Sequence, residues 1–195
     1  LGTRTLRVLL PAVLVYNAVI NGSAFVVSMY LQEGRQVSAG LAGVFMLIAN
    51  LGMPLAGPLT TAMRRLVRPG VLILGSLAAL VAALWLLGLG EALVLPALVL
   101  PLFVFGLAAG VLYSVDTVTV LDTTAGAASA TATATLALMR QVGSVVGIAA
   151  LASTGQLAVT LGVSARGEVP AFLAGGLVLL FLLLRLRPRI GWVTS

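Results

Sequence analysis

The sequence predicts an all-α integral membrane protein that crosses the bilayer six times. Three observations predict it: too little charge for a water-facing surface, six apolar runs of span length, and arginines gathered on alternate connectors. The chain is 61% hydrophobic and 8% charged, with a mean hydropathy of +1.19. Soluble domains carry about 25% charged residues, so this chain could not cover a core with a solvated face.

A helical span needs roughly 20 apolar residues to cross about 30 Å of hydrocarbon. Uncharged apolar runs place the spans at about 8–31, 39–62, 71–90, 94–115, 128–154 and 169–184. A β-barrel would instead show segments of about ten residues alternating between apolar and polar. The run from Val71 to Gly90, with Ser76 its one strongly polar side chain, does not alternate. The first run is too long for the apolar core of a secretory signal, and no small-residue cleavage site follows it. The chain begins at Leu1 rather than Met, as expected of a piece cut from a longer protein.

Span by span, the polar residues are unevenly shared. The first carries Tyr16, Asn17, Asn21 and Ser28, with positions 17, 21, 24 and 28 on one helical stripe. The second carries Asn50 between Met46 and Met53, and Pro54 and Pro58 are expected to break it near its inner end. The third is nearly all apolar. The fourth ends in Tyr113, with Asp116 and Thr117 at i+3 and i+4. The fifth carries Thr131, Thr133, Thr135, Arg140, Gln141 and Ser144, and in the sixth Leu173 to Leu184 contains no hydrogen-bonding side chain.

Polar groups in hydrocarbon are costly unless they face protein or water. Spans 1, 2, 4 and 5 are therefore expected to face a partner or cavity, and spans 3 and 6 mainly lipid. Two polar-striped spans followed by an apolar one occur twice, the pattern of a 3+3 inverted repeat in secondary transporters. Gly106 to Gly110 and Gly143 to Gly147 form small-xxx-small faces, read as close helix contacts.

Orientation follows from arginine, since all eleven basic residues are Arg. Arg4, Arg7, Arg64, Arg65, Arg68, Arg185, Arg187 and Arg189 fall on one side of the six spans. The other side holds Arg35 and Arg166, beside Glu33, Glu91 and Glu168. Cytoplasmic loops are enriched in Arg and Lys, so both termini are expected in the cytoplasm of a cell inner (plasma) membrane. This asymmetry accounts for the net charge of +6 with lipid as the surrounding partner and no nucleic acid.

The candidate site residues come from the polar stripes. Asn17, Asn21, Asn50 and Tyr113 are expected to line a substrate cavity, with hydrogen bonding between helices as the competing reading. Met46, Met53 and Phe45 read as ordinary packing. Asp116 could bind a cation or couple to protons; the preferred reading is structural, with the carboxylate near the cytoplasmic end, paired to Arg140 or meeting water. Arg140 is expected to pair with Asp116, Asp122 or helix-end carbonyls. With no Cys and no His, thiol and Ser-His chemistry and the usual transition-metal ligands are excluded, and no cofactor or metal is expected. A metal-dependent lipid transferase would need more carboxylates than Asp116 and Asp122, so the chain reads as a non-enzyme.

Three stretches resemble a known family. Tyr30-Leu31-Gln32 through Ser38-Ala39-Gly40-Leu41 looks like a junction between spans in major facilitator superfamily transporters, above all the fourteen-span drug:proton antiporters. Met53-Pro54-Leu55-Ala56-Gly57-Pro58-Leu59, with Arg64-Arg65 and Arg68-Pro69-Gly70, resembles a degraded Gly-x-Leu-x-Asp-Arg-x-Gly-Arg loop. Gly57, Leu59 and Arg65 match, but Thr61 stands where the acidic residue would be, so its gating role does not carry over. The most specific stretch, Ala125-Gly126-Ala127-Ala128-Ser129-Ala130 with Met139-Arg140-Gln141-Val142-Gly143 through Gly147-Ile148-Ala149, is similar to the "AGxASA … RQxGxxxGxA" pattern of these antiporters.

The resemblance covers about residues 5–188 and only the carboxyl-terminal six-span half of such a transporter. It implies half of a major facilitator fold, working with a missing amino-terminal half to move small organic molecules in exchange for protons. A non-transporting membrane scaffold or a channel-like oligomer subunit is the alternative.

Overall fold

The computed structural model describes residues 2–89, 94–124, 127–162 and 168–186. Glu91, Ala125, Gly126, Arg166, Arg187 and Arg189 lie outside the described residues, as does the side chain of Arg4. The chain forms α1 (Gly2–Met29), α2 (Ala39–Met63), α3 (Pro69–Gly88), α4 (Val99–Thr123), α5 (Ala127–Thr160) and α6 (Glu168–Leu186). Among the described residues six helical stretches are each long and apolar enough to cross a bilayer, the build of a multi-pass membrane protein.

Local chemistry sets the helix starts. The Ser38 hydroxyl accepts from the Leu41 amide and caps α2. Pro69 opens α3 at a position where no backbone N–H is needed. At its far end α1 passes into a π-helical turn, Tyr30–Gly34. Tyr30 is buried there, edge-on to Phe172 of α6 at 6.2 Å, and its hydroxyl accepts from Arg35 Nη1 at 3.2 Å.

Three expectations need correction. The fourth span does not stop near residue 115: α4 continues through Asp116 to Thr123. Counting uncharged residues ended the span too early, because a charge enclosed by neighbouring helices does not end a helix. Likewise α5 continues to Thr160, where Thr154 and Thr160 donate to the carbonyls of Ala150 and Gln156 instead of exposing free hydroxyls.

Second, Pro54 and Pro58 do not break α2, which runs unbroken through both. Four residues apart, they share one outer face and both are exposed, so the missing hydrogen bonds lie away from the bundle. Third, α3 is not mainly outward-facing. It packs against α4 and α6 and buries Leu77, Leu80 and Leu84 completely. The least buried spans are α2 and α5, where Leu47, Leu51 and Leu55 and Leu138, Val142 and Val145 stand exposed.

Helix pairing has a simple form. The most extensive contacts are α1 with α5 and α2 with α4, followed by α3 with α4, α3 with α6 and α1 with α6. Glycine makes the first two possible. A Cβ on Gly143 or Gly147 would meet the backbone of Leu14 or Ala18 in α1, and one on Gly106 or Gly110 that of Ala49 or Met53 in α2. The two small-xxx-small faces are therefore helix contacts.

Candidate functional site

The polar side chains of α1 and α4 meet in the bundle interior. Asn17 is 1% exposed, yet both the nitrogen and the oxygen of its amide are hydrogen-bonded. Its Nδ2 donates to the Val13 carbonyl at 3.0 Å, and its Oδ1 accepts from the Tyr113 hydroxyl at 2.8 Å. Asn21 Nδ2 donates to the Asn17 carbonyl at 3.1 Å and reaches the Tyr113 hydroxyl at 3.5 Å. The Tyr16 ring lies 6.5 Å from that of Tyr113, and its own hydroxyl has no partner.

This asymmetry between the two tyrosines makes a prediction. Tyr113→Phe strands the buried Oδ1 of Asn17 and is expected to cost about 1–3 kcal/mol. Tyr16→Phe removes a hydroxyl that bonds nothing and is expected to be neutral or stabilising. Unfolding of both variants in one detergent checks the order.

The same tyrosine anchors Arg140 of α5. Arg140 Nη2 donates to the Tyr113 carbonyl and to Thr117 Oγ1, both at 3.0 Å, and the guanidinium carbon stands 5.0 Å from the Tyr113 ring centre. Tyr113, Asp116 and Thr117 share one face of α4 at i, i+3 and i+4, which is why a single arginine reaches all three. Asp116 Oδ2 lies 3.7 Å from Arg140 Nη2, an ion pair longer than a hydrogen bond. Asp116 is fully buried and does not meet solvent; neither carboxylate oxygen has a hydrogen-bond partner.

Asp122 does not join Arg140. It pairs with Arg64 at 2.7 Å, tying the end of α2 to the last turn of α4. Sequence reasoning counted Arg64 as an orientation charge and as part of the family-like loop, and nothing in its spacing pointed across 58 residues to Asp122.

Asn50 stands apart from this network. Its Nδ2 donates to the Met46 carbonyl at 2.8 Å. Together with Asn21, Met46, Met53 and Phe105 it lines a cavity of about 90 Å³, well below the roughly 300–1,000 Å³ of small-molecule sites. Asn21 and Asn50 thus meet one small cavity, and Tyr113 faces a different one. Asn17 is sealed behind them.

Among the described residues three cavities have ligand dimensions, and two of them lie between helices. One, of about 510 Å³ between α2, α4 and α5, is lined by Thr60, Thr61, Arg64, Tyr113, Thr117 and Arg140. The other, of about 600 Å³, lies among α1, α5 and α6, where Phe25, Met29, Glu33, Gln156 and Glu168 face it. Thr60 was not singled out in the sequence, where one threonine among many carries no signal. Comparison with protein-family models, with curated proteins and with solved structures gives no match.

Proposed function

We propose that this bundle is the carboxyl-terminal half of a secondary active transporter that moves drug-like or other small organic molecules in exchange for protons by alternating access. The observation that carries the reading is the symmetry of helix pairing. Moving each label on by three converts α1–α5 into α4–α2, and α1–α6 into α4–α3, and both members of each exchange are present, although the lesser α5–α6 contact has no α2–α3 counterpart of similar extent. The glycine contacts follow the same exchange when both sides of each seam are taken: Gly143 and Gly147 of α5 against α1 correspond to Gly52 of α2 against α4, and Gly22 of α1 against α5 corresponds to Gly106 and Gly110 of α4 against α2. Three spans reverse the direction through the bilayer, so such a repeat is inverted, the architecture on which two-bundle carriers rock.

Polarity supports the same reading. The network of Asn17, Asn21, Tyr113, Asp116 and Arg140 belongs to α1, α4 and α5, while the exposed apolar faces of α2 and α5 suit a second bundle. Arginine asymmetry puts both termini in the cytoplasm. Within this mechanism Asp116 is the candidate for proton coupling, because a carboxylate enclosed by spans is costly without a role.

Dye efflux from vesicles carrying the complete gene product tests the proposal. Efflux driven by an imposed pH gradient is expected, together with loss of that dependence in Asp116→Asn at equal membrane abundance. Gradient-independent leakage, or no flux from the parent, would replace the carrier reading with a channel or a scaffold.

A further inference from the structure

The cavity between α2, α4 and α5 has a donor chemistry that the transport reading does not use. Thr60 and Thr61 from α2, Arg64 at its end, Ser114 and Thr117 from α4, and Arg140 from α5 line it. Three of the four serine and threonine hydroxyls have already spent their proton. Thr61 donates to the Gly57 carbonyl, Ser114 to that of Gly110, and Thr117 to that of Tyr113.

Thr60 differs. It is 2% exposed and its Oγ1 has no partner, although a helical threonine ordinarily donates to a carbonyl three or four residues back. The guanidinium of Arg140 makes both its hydrogen bonds through Nη2, leaving a buried Nε–H unpartnered as well. Neither carboxylate in the neighbourhood lines the cavity. Asp122 is held by Arg64 outside it, and Asp116 lies behind Arg140. What remains at the cavity is two guanidiniums, Arg64 paired with Asp122 and Arg140 bonded to Tyr113 and Thr117, and beside them the enclosed Thr60 hydroxyl and Arg140 Nε–H without partners. Buried donors left unmade are costly, and a side-chain rotation that turned them to an oxyanion in the cavity would satisfy them through charge-assisted bonds.

We propose that this cavity binds an oxyanion, the phosphoryl group of an anionic lipid headgroup or of a soluble phosphate, held by Arg64, Arg140 and the Thr60 hydroxyl. A guanidinium matches two phosphoryl oxygens at once, and a hydroxyl from a third position fixes the group's orientation. The proposal concerns binding alone and stands whether or not the bundle transports anything.

The test uses the purified chain in a zwitterionic detergent, titrated in one arm with short-chain phosphatidylglycerol and in the other with inorganic phosphate. Its unfolding temperature is read throughout. A saturable rise in either arm, absent with phosphatidylcholine, is the expected result. A rise with the lipid alone assigns the headgroup, and a rise with phosphate assigns a soluble ligand. Thr60→Val and Arg64→Gln are each expected to weaken the midpoint about tenfold or more, the loss of one charge-assisted hydrogen bond. Thr60→Ser and Thr61→Val keep the necessary groups and are expected to bind as the parent does. If Thr60→Val does not fold, Arg64→Gln decides alone. No rise in either arm overturns the proposal, and so does an unchanged midpoint in the folded Thr60→Val and Arg64→Gln variants.

Discussion

Gly147→Val is expected to prevent α1 and α5 from packing and to lower stability by about 3 kcal/mol or more, at or beyond the upper end for overpacked interiors. A Cβ at this position would meet the carbonyl group and Cα of Ala18, which are backbone atoms and cannot rotate aside. Along the same seam Gly143 approaches the Leu14 carbonyl and Gly22 approaches Gly147, so one added side chain must separate the helices along much of their contact.

In hydrocarbon, helices associate through such close packing, because lipid removes the solvent-driven term. Gly106→Val across Ala49 is the equivalent change in the α2–α4 pair and is expected to behave alike. Gly75→Ala, where a Cβ would meet nothing within 4 Å, is the control; it is expected to be neutral or to stabilise by about 0.5–1 kcal/mol. Thermal unfolding in detergent, with the fraction of monodisperse protein, measures all three. A Gly147→Val protein that unfolds with the parent would mean that the two backbones do not approach as described.

The second large effect is asymmetric. Arg140→Ala leaves Asp116 enclosed without its counter-charge, with both carboxylate oxygens already lacking hydrogen-bond partners. Removing one member of a buried pair costs about 3–5 kcal/mol. Asp116→Ala is expected to cost less, because Arg140 keeps the Tyr113 carbonyl, the Thr117 hydroxyl and the Tyr113 ring. The double variant is expected to recover part of the Arg140→Ala loss. A double-mutant cycle on unfolding free energies reads the coupling, and simple additivity would mean that the 3.7 Å approach carries no interaction.

These two residues also mark how far sequence reading reached. That Asp116 and Arg140 would be neighbours was legible, since an ion inside a span needs a counter-ion and few were on offer. Arg140's bonds to Tyr113 and Thr117 were not, because helical spacing groups residues on a stripe without saying which stripe meets which helix. The Tyr113–Asn17 bond joins residues 96 apart, beyond any local periodicity. Asn17 and Asn50 were both expected to line a cavity, yet one is sealed in the interior and the other stands at the surface. Proline misled for a related reason: its cost depends on which face of α2 carries it, and that face was set by packing.

By itself the sequence determined the number of helices and their approximate bounds, because hydrocarbon demands long uncharged runs and pushes charge into the connectors. It also marked the glycine seams, where only a missing side chain lets backbones touch. Only the tertiary structure decided that Arg64 and not Arg140 takes Asp122, that α3 lies inside while α2 and α5 lie outside, and that Thr60 is left without a partner. Those outcomes depend on how each helix is rotated against its neighbours, a choice made by the summed packing of all six and written in no single segment.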